Sequence, residues 1–183
     1  AGNYSVLVTN ANNCENTRTV LVSESNIATI NNITINDFEY NNAIIVDATG
    51  IGNYTYSLNN ISFQTSNVFN NVLPGIYTVY IKDINGCGIV EKDINVLGAP
   101  KYFTPNGDSF NDFWNIKGVD AKLNAKTIIR IFDRYGKLLS QINPLSQGWN
   151  GMFNNQQLPA DDYWYTIELN NGRIVKGHFS LIR

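Results

Sequence analysis

One histidine, one methionine and two cysteines among 183 residues leave little material for catalysis or metal binding. Two cysteines and a single histidine fall short of the four ligands of a structural zinc site. His178 stands beside Gly177 on a strand-like segment, where it reads as a half-buried strand residue, and no nucleophile pattern surrounds it. The carboxylates are scattered, and no pair of them marks a glycosidase. Charged residues make up only 15% of the chain and form no basic run, so a nucleic-acid partner is not expected. No apolar stretch approaches the ~18 residues of a membrane span, and long helical periodicity is missing. Ala1-Gly2-Asn3-Tyr4 runs directly into strand-like alternation rather than a signal peptide. The chain is therefore expected to begin inside a domain, with any export signal upstream or removed. Neither enzyme activity nor a small-molecule substrate is expected.

What the sequence does hold is asparagine, at 29 positions. Asparagine tolerates positive φ and closes turns with its own side chain, which suits many short connections. Aromatic residues reach 12% and hydrophobic residues 43%, enough to fill packed cores. The composition predicts an all-β chain. Charge divides unevenly: residues 1–98 carry three basic and eight acidic side chains, net −5, and residues 99–183 carry ten and seven, net +3. Two halves of opposite sign point to different partners.

An internal repeat organises the first half. Gly2-x-Tyr4-Ser5-Val6-x-Val8-x-Asn10-x-Asn12-Asn13-Cys14 returns 73 residues later as Gly75-x-Tyr77-Thr78-Val79-x-Ile81-x-Asp83-x-Asn85-Gly86-Cys87. Tyr, Val and Val/Ile on alternate positions share one strand face, and Asn-Asn or Asn-Gly supplies a tight hairpin turn. Residues 1–24 thus read as the C-terminal hairpin of a truncated module, residues 25–98 as a complete one, and residues 99–183 as a module of a second kind. Strands are predicted near 29–37, 43–48, 53–58, 61–64, 67–71, 75–83 and 87–97, then near 100–104, 112–118, 126–133, 137–143, 148–153, 162–170 and 173–182. Short strands between turn signals predict tandem immunoglobulin-like β-sandwich modules. Tyr54-Thr55-Tyr56-Ser57-Leu58, Phe69, Leu73-Pro74-Gly75-x-Tyr77-Thr78-Val79 and Asp83-x-Asn85-Gly86-Cys87 resemble the repeats of large SprB-type gliding adhesins of Bacteroidetes.

After Gly98-Ala99-Pro100 the character changes. The signposts are Phe103-Thr104-Pro105-Asn106-Gly107-Asp108-Ser109-Phe110-Asn111-Asp112-Phe113-Trp114, then Ile131-Phe132-Asp133-Arg134-Tyr135-Gly136-Lys137 and Gly148-Trp149-Asn150-Gly151. Leu158-Pro159-Ala160-x-x-Tyr163-Trp164-Tyr165 and Lys176-Gly177-His178-Phe179-Ser180-Leu181-Ile182-Arg183 complete the series. In this order they resemble the type B C-terminal sorting domain of type IX secretion, the gliding-motility-associated C-terminal domain. Ala160-Asp161-Asp162 departs from the family, which more often has Gly before the aromatic strand. The resemblance implies a secreted protein attached at the cell surface to the outer membrane. It also implies as partners the type IX translocon and an outer-membrane β-barrel, a PorV-like shuttle or a PorP/SprF-like attachment protein.

Candidate partner-binding residues are Thr104, Pro105, Asn106, Asp108, Asn111 and Asp112 of the Asn/Asp-rich loop, Arg134, and Leu181, Ile182 and Arg183. The last strand is expected to offer free backbone at a sheet edge, to be gripped by β-addition or inside a barrel mouth; the alternative is that it simply completes the sandwich. Asn106, Asp108, Asn111 and Asp112 around Gly107 also form an oxygen set of the type calcium requires, while Asx turns use the same side chains without metal. No other cofactor is expected. Trp149 reads as core, with an exposed sugar-stacking platform as the alternative. Arg134 reads as a receptor contact or as a partner of Asp133 or Asp162. Cys14 and Cys87 occupy equivalent places in different modules, which disfavours their pairing; each reads as a buried thiol, with Cys14 alternatively paired upstream. The competing function is a carbohydrate-binding β-sandwich of a secreted polysaccharide-degrading protein, whose mark would be exposed coplanar aromatics on one face.

Overall fold

The computed structural model describes residues 1–122 and 124–183. Among these it contains fifteen strands and no helix. The first six are β1 (Gly2–Thr9), β2 (Glu15–Val22), β3 (Thr29–Asn36), β4 (Ala43–Thr49), β5 (Tyr54–Ser57) and β6 (Val68–Asn70). Then come β7 (Gly75–Asp83), β8 (Ile89–Val96), β9 (Tyr102–Phe103), β10 (Ile128–Phe132) and β11 (Leu138–Ile142). The last are β12 (Met152–Phe153), β13 (Gln156–Gln157), β14 (Asp161–Glu168) and β15 (Ile174–Leu181). Sheet orders are β1-β2, β3-β4-β6, β5-β7-β8, β11-β10-β14-β15-β9 and β12-β13.

Two compact units divide the chain. One comprises Ala1–Ile33, Val46–Asn67 and Val79–Lys92; the other comprises Thr34–Ile45, Val68–Thr78 and Asp93–Arg183. In the first, Val46, Val79 and Ile81 are fully buried, as period-two alternation on β4 and β7 requires. Its two hairpin turns are built alike. Asn10 Oδ1 accepts the Cys14 amide at 3.0 Å, and Asp83 Oδ2 accepts the Cys87 amide at 3.1 Å. Burial pushes the Asp83 carboxyl up, but the Cys87 amide and the Ser25 hydroxyl outweigh it, and the net shift is downward.

The turns differ by one residue: Asn10 N–H bonds Cys14 O, whereas Asp83 N–H bonds Gly88 O. The inserted residue re-phases the returning strand. Counted from the turn, Val20 and Val22 therefore answer to Ile94 and Val96, both buried. On β1 and β2 the matching face, Tyr4, Val6, Val8, Val20 and Val22, is 45–63% exposed. Both cysteines are free and exposed, contrary to the buried-thiol reading, because each sits in the hairpin turn and not on the inward face of a strand.

The second unit is built on the five-stranded sheet. Ile129 and Ile131 on β10, Tyr163, Tyr165 and Ile167 on β14, and Phe179 and Leu181 on β15 point to one side and join one core with Phe103, Trp114 and Trp149. Phe179 lies stacked on Trp114, ring centroids 4.0 Å apart, and meets Phe103 edge-on at 5.8 Å. Both indole N–H groups are satisfied, Trp114 by Pro100 O and Trp149 by Met152 O, each at 2.9 Å. Gly177 is required by this packing, since a Cβ there would lie 2.4 Å from the Tyr165 hydroxyl.

Three predicted strands change form. Segment 112–118 makes only isolated bridges, Trp114 to Trp149 and Lys117 to Gly98. Its backbone changes partner within three residues, and Gly118 at φ 78° turns it away. Segment 148–153 keeps only the Trp149 bridge and the two residues of β12, and segment 61–64 contributes one bridge, Gln64 to Tyr56.

Candidate functional site

Loop 104–112 follows β9 directly and is held by its own side chains. Thr104 N–H donates to Asn111 O at 2.8 Å. Asp112 accepts the Gly107 amide on Oδ1 at 2.7 Å and the Ser109 amide on Oδ2 at 2.8 Å. Asp108 Oδ1 accepts the Phe110 amide at 2.8 Å, and its Oδ2 accepts the Asn106 side-chain amide at 2.9 Å. The Asn106 amide, then the Phe110 backbone amide, hold the Asp108 carboxyl below the usual carboxylate range. Gly107, Ser109 and Asn111 all have positive φ, which explains the run of Gly and Asx residues. Of the four residues expected as calcium ligands, Asn106, Asp108 and Asp112 thus have side-chain oxygens that accept bonds from amides of the same loop. Phe110 is left 71% exposed at the tip.

The loop and the last residues of the sequence meet through the sheet. β15 pairs with β14 along its length, and Ser180 and Leu181 pair in parallel with Tyr102 and Phe103 of β9. Ile182 N–H donates to Phe103 O at 3.0 Å. The expected free edge is therefore closed at residues 180–182, because β9 occupies it; the edge strands are β11 and the two-residue β9. Arg183 folds back, its Nε donating to Leu158 O at 3.0 Å and a terminal nitrogen to Gln157 Oε1 at 3.2 Å. A depression of ≈ 260 Å³ at this corner is lined by Pro105, Gly107, Asp112, Phe113 and Arg183, among others.

Pro105, Asp112 and Arg183 are thereby brought together, with Thr104, Asn106, Asp108 and Asn111 in the same loop. Ile182 is 46% exposed, whereas Leu181 is buried in the core. Arg134 lies elsewhere, lining a different depression, and its guanidinium is bonded to Asp161, not to Asp133 or Asp162. That bond holds Asp161 below its usual range. Trp149 is core, at 3% exposure. His178 is exposed, not half-buried, and lies against Trp164, ring centroids 6.4 Å apart. Trp164 is the residue that sequence reasoning passed over. With Tyr163 and Tyr165 pointing inward, period two sends Trp164 to the outer face.

These features define a β-sandwich module whose last strand is paired beside an Asx-rich turn. Residues 97–181 match the CHU_C Type IX secretion signal domain, and this segment belongs to that family. A domain of this family implies export through the type IX secretion machinery. A signal domain of this kind is not catalytic. No curated protein matches the chain. Dimeric latent PorU from Porphyromonas gingivalis aligns at 13% identity and TM-score 0.33, over 98% of this chain and 24% of that one. Tp47, a 47-kilodalton lipoprotein of Treponema pallidum, aligns at 12% and 0.30, over 96% and 56%. The BSP domain of a biofilm associated protein aligns at 11% and 0.31, over 81% and 29%. The chain thus spans between 24% and 56% of the length of these structures.

Proposed function

We propose that this chain is the C-terminal secretion and surface-attachment signal of a large gliding-type adhesin. An outer-membrane β-barrel, PorV-like or PorP/SprF-like, grips it at the corner formed by loop 104–112, Ile182 and Arg183. The observation that carries the reading is the convergence of Pro105, Asp112 and Arg183 on one depression within a type IX secretion signal domain. The module boundaries follow the repeat: a closing hairpin at 1–24, a complete SprB-like sandwich at 25–98 and the sorting domain at 99–183. The apolar face of the first hairpin supports this, since five side chains exposed there answer to a buried or half-buried face in the next copy. A partner module covering that face removes a strip of apolar surface from water. The surface location is the outer face of the outer membrane.

The test is a reporter fused ahead of the 183-residue chain and expressed in a type IX-competent host that carries the matching barrel. The reporter is expected on the cell surface, and pull-down from outer membranes is expected to recover a barrel protein. A folded fusion retained in the periplasm would contradict the proposal.

A further inference from the structure

The outer face of the large sheet carries an apolar row that neither core packing nor the corner site uses. Leu138 on β11 pairs with Phe132 on β10, Phe132 with Trp164 on β14, and Trp164 with His178 on β15. Four adjacent strands therefore place Leu138, Phe132, Trp164 and His178 side by side, a stripe ~14 Å long at ~4.8 Å per strand. Leu138 is 48% and Trp164 41% exposed, and Phe132 is half-buried. The solvent face of an antiparallel sheet is ordinarily polar, so a transverse stripe of this kind calls for an explanation. The Trp164 and His178 rings are neighbours in the row, centroids 6.4 Å apart and tilted by 36°. Phe132, Trp164 and His178 of the stripe line an open depression of ≈ 470 Å³.

Polar rows fence the stripe on both sides. Arg130 pairs with Gln141 and Thr166, and Thr166 with Lys176; on the other side Asp162 pairs with Ser180, whose hydroxyl donates to it at 2.6 Å. Charges along the fence balance in sign: Arg130 pairs with Glu168 at 3.2 Å and Arg134 with Asp161, and the cation Lys176 on one side is offset by the anion Asp162 on the other. A fence whose charges balance in sign presents no net field to attract a polyanion. A shallow open floor lacks the sealed pocket in which a protein hot spot is desolvated. A pyranose chain fits both features. Its C–H faces stack on aromatic rings, and its equatorial hydroxyls donate to and accept from flanking side chains. We infer that the Leu138–Phe132–Trp164–His178 stripe is a binding platform for an uncharged polysaccharide, a second function carried on the face of the secretion signal.

The whole 183-residue chain tests this by affinity electrophoresis in gels containing hydroxyethylcellulose, laminarin or dextran. Retardation is expected in at least one, and Trp164→Ala is expected to weaken it at least tenfold. Trp164→Tyr, which keeps a ring, and Tyr135→Ala, which removes an 87% exposed aromatic outside the stripe, are expected to retain binding. Trp114 and Trp149 are buried, so a fluorescence change on adding the retarding glucan reports Trp164. No retardation by any of the three glucans, or equal retardation of Trp164→Ala, overturns the inference. Loss of surface delivery in Trp164→Ala without glucan binding by the parent overturns it in favour of a protein-docking face.

Discussion

Asp112 bonds two backbone amides with its two carboxylate oxygens, and one residue thereby sets the shape of the loop proposed to meet the barrel. Charge-assisted bonds of this kind are stronger than neutral ones. Asp112→Ala is expected to lower Tm by roughly 3–6 °C, at about 2–4 °C per kcal/mol for a chain of this length, as read by differential scanning calorimetry. Millimolar calcium is expected to leave the parent's Tm unchanged. A rise would instead identify Asn106, Asp108, Asn111 and Asp112 as a metal site, because a ligand bound only to the folded state stabilises it.

At the scale of one element, β15 serves two purposes that mutation separates. Phe179 and Leu181 point into the core, and truncating a buried Leu costs ~2–5 kcal/mol. Deleting Leu181, Ile182 and Arg183 together is therefore expected to lower both stability and display. Arg183→Ala leaves the core intact and removes a surface guanidinium with its bonds to Leu158 and Gln157. Its Tm is expected to stay within about 2–4 °C of the parent, a change of 1 kcal/mol or less, while surface display falls several-fold by flow cytometry with a reporter antibody. Unchanged display would move the barrel contact to loop 104–112.

At the scale of the whole molecule, the signal segment is embedded in a larger compact unit that also takes in Thr34–Ile45 and Val68–Thr78. Asp37, 5% exposed on its side chain, pairs with Arg173 and accepts the Leu97 amide at 3.3 Å. Phe38 N–H donates to Leu97 O at 3.1 Å, and Arg173 lies over the Phe38 ring. Asn95 donates to Gly118 O and to Asn124 Oδ1, and Gly118 admits no Cβ, which would fall 2.0 Å from Val96 O. Asp37→Ala leaves the Leu97 amide unpaired and Arg173 without its partner. With Arg173 partly exposed, the expected loss is on the order of 2 kcal/mol, a Tm decrease of about 4–8 °C by calorimetry.

Much of this was legible in the residues alone. Period-two alternation placed β3, β4, β7, β10, β11, β14 and β15 within about two residues of their observed bounds, because alternation is a local consequence of having one buried face. The size of the indole and the glycines flanking it assigned Trp149 to the core, and the motif order from Phe103 to Arg183 disclosed the sorting domain. What only the tertiary structure decided concerns partners far apart in sequence. β9 covers residues 180–182 at the end of β15, which local pattern left open. Arg134 meets Asp161, 27 positions away, and Arg173 meets Asp37, 136 positions away. Trp164 gains Phe132 and His178 as neighbours only through strand order and register. Side-chain spacing along one strand selects which face is buried, but which strands lie side by side depends on the packing of the whole core and on the closing of the loops between them.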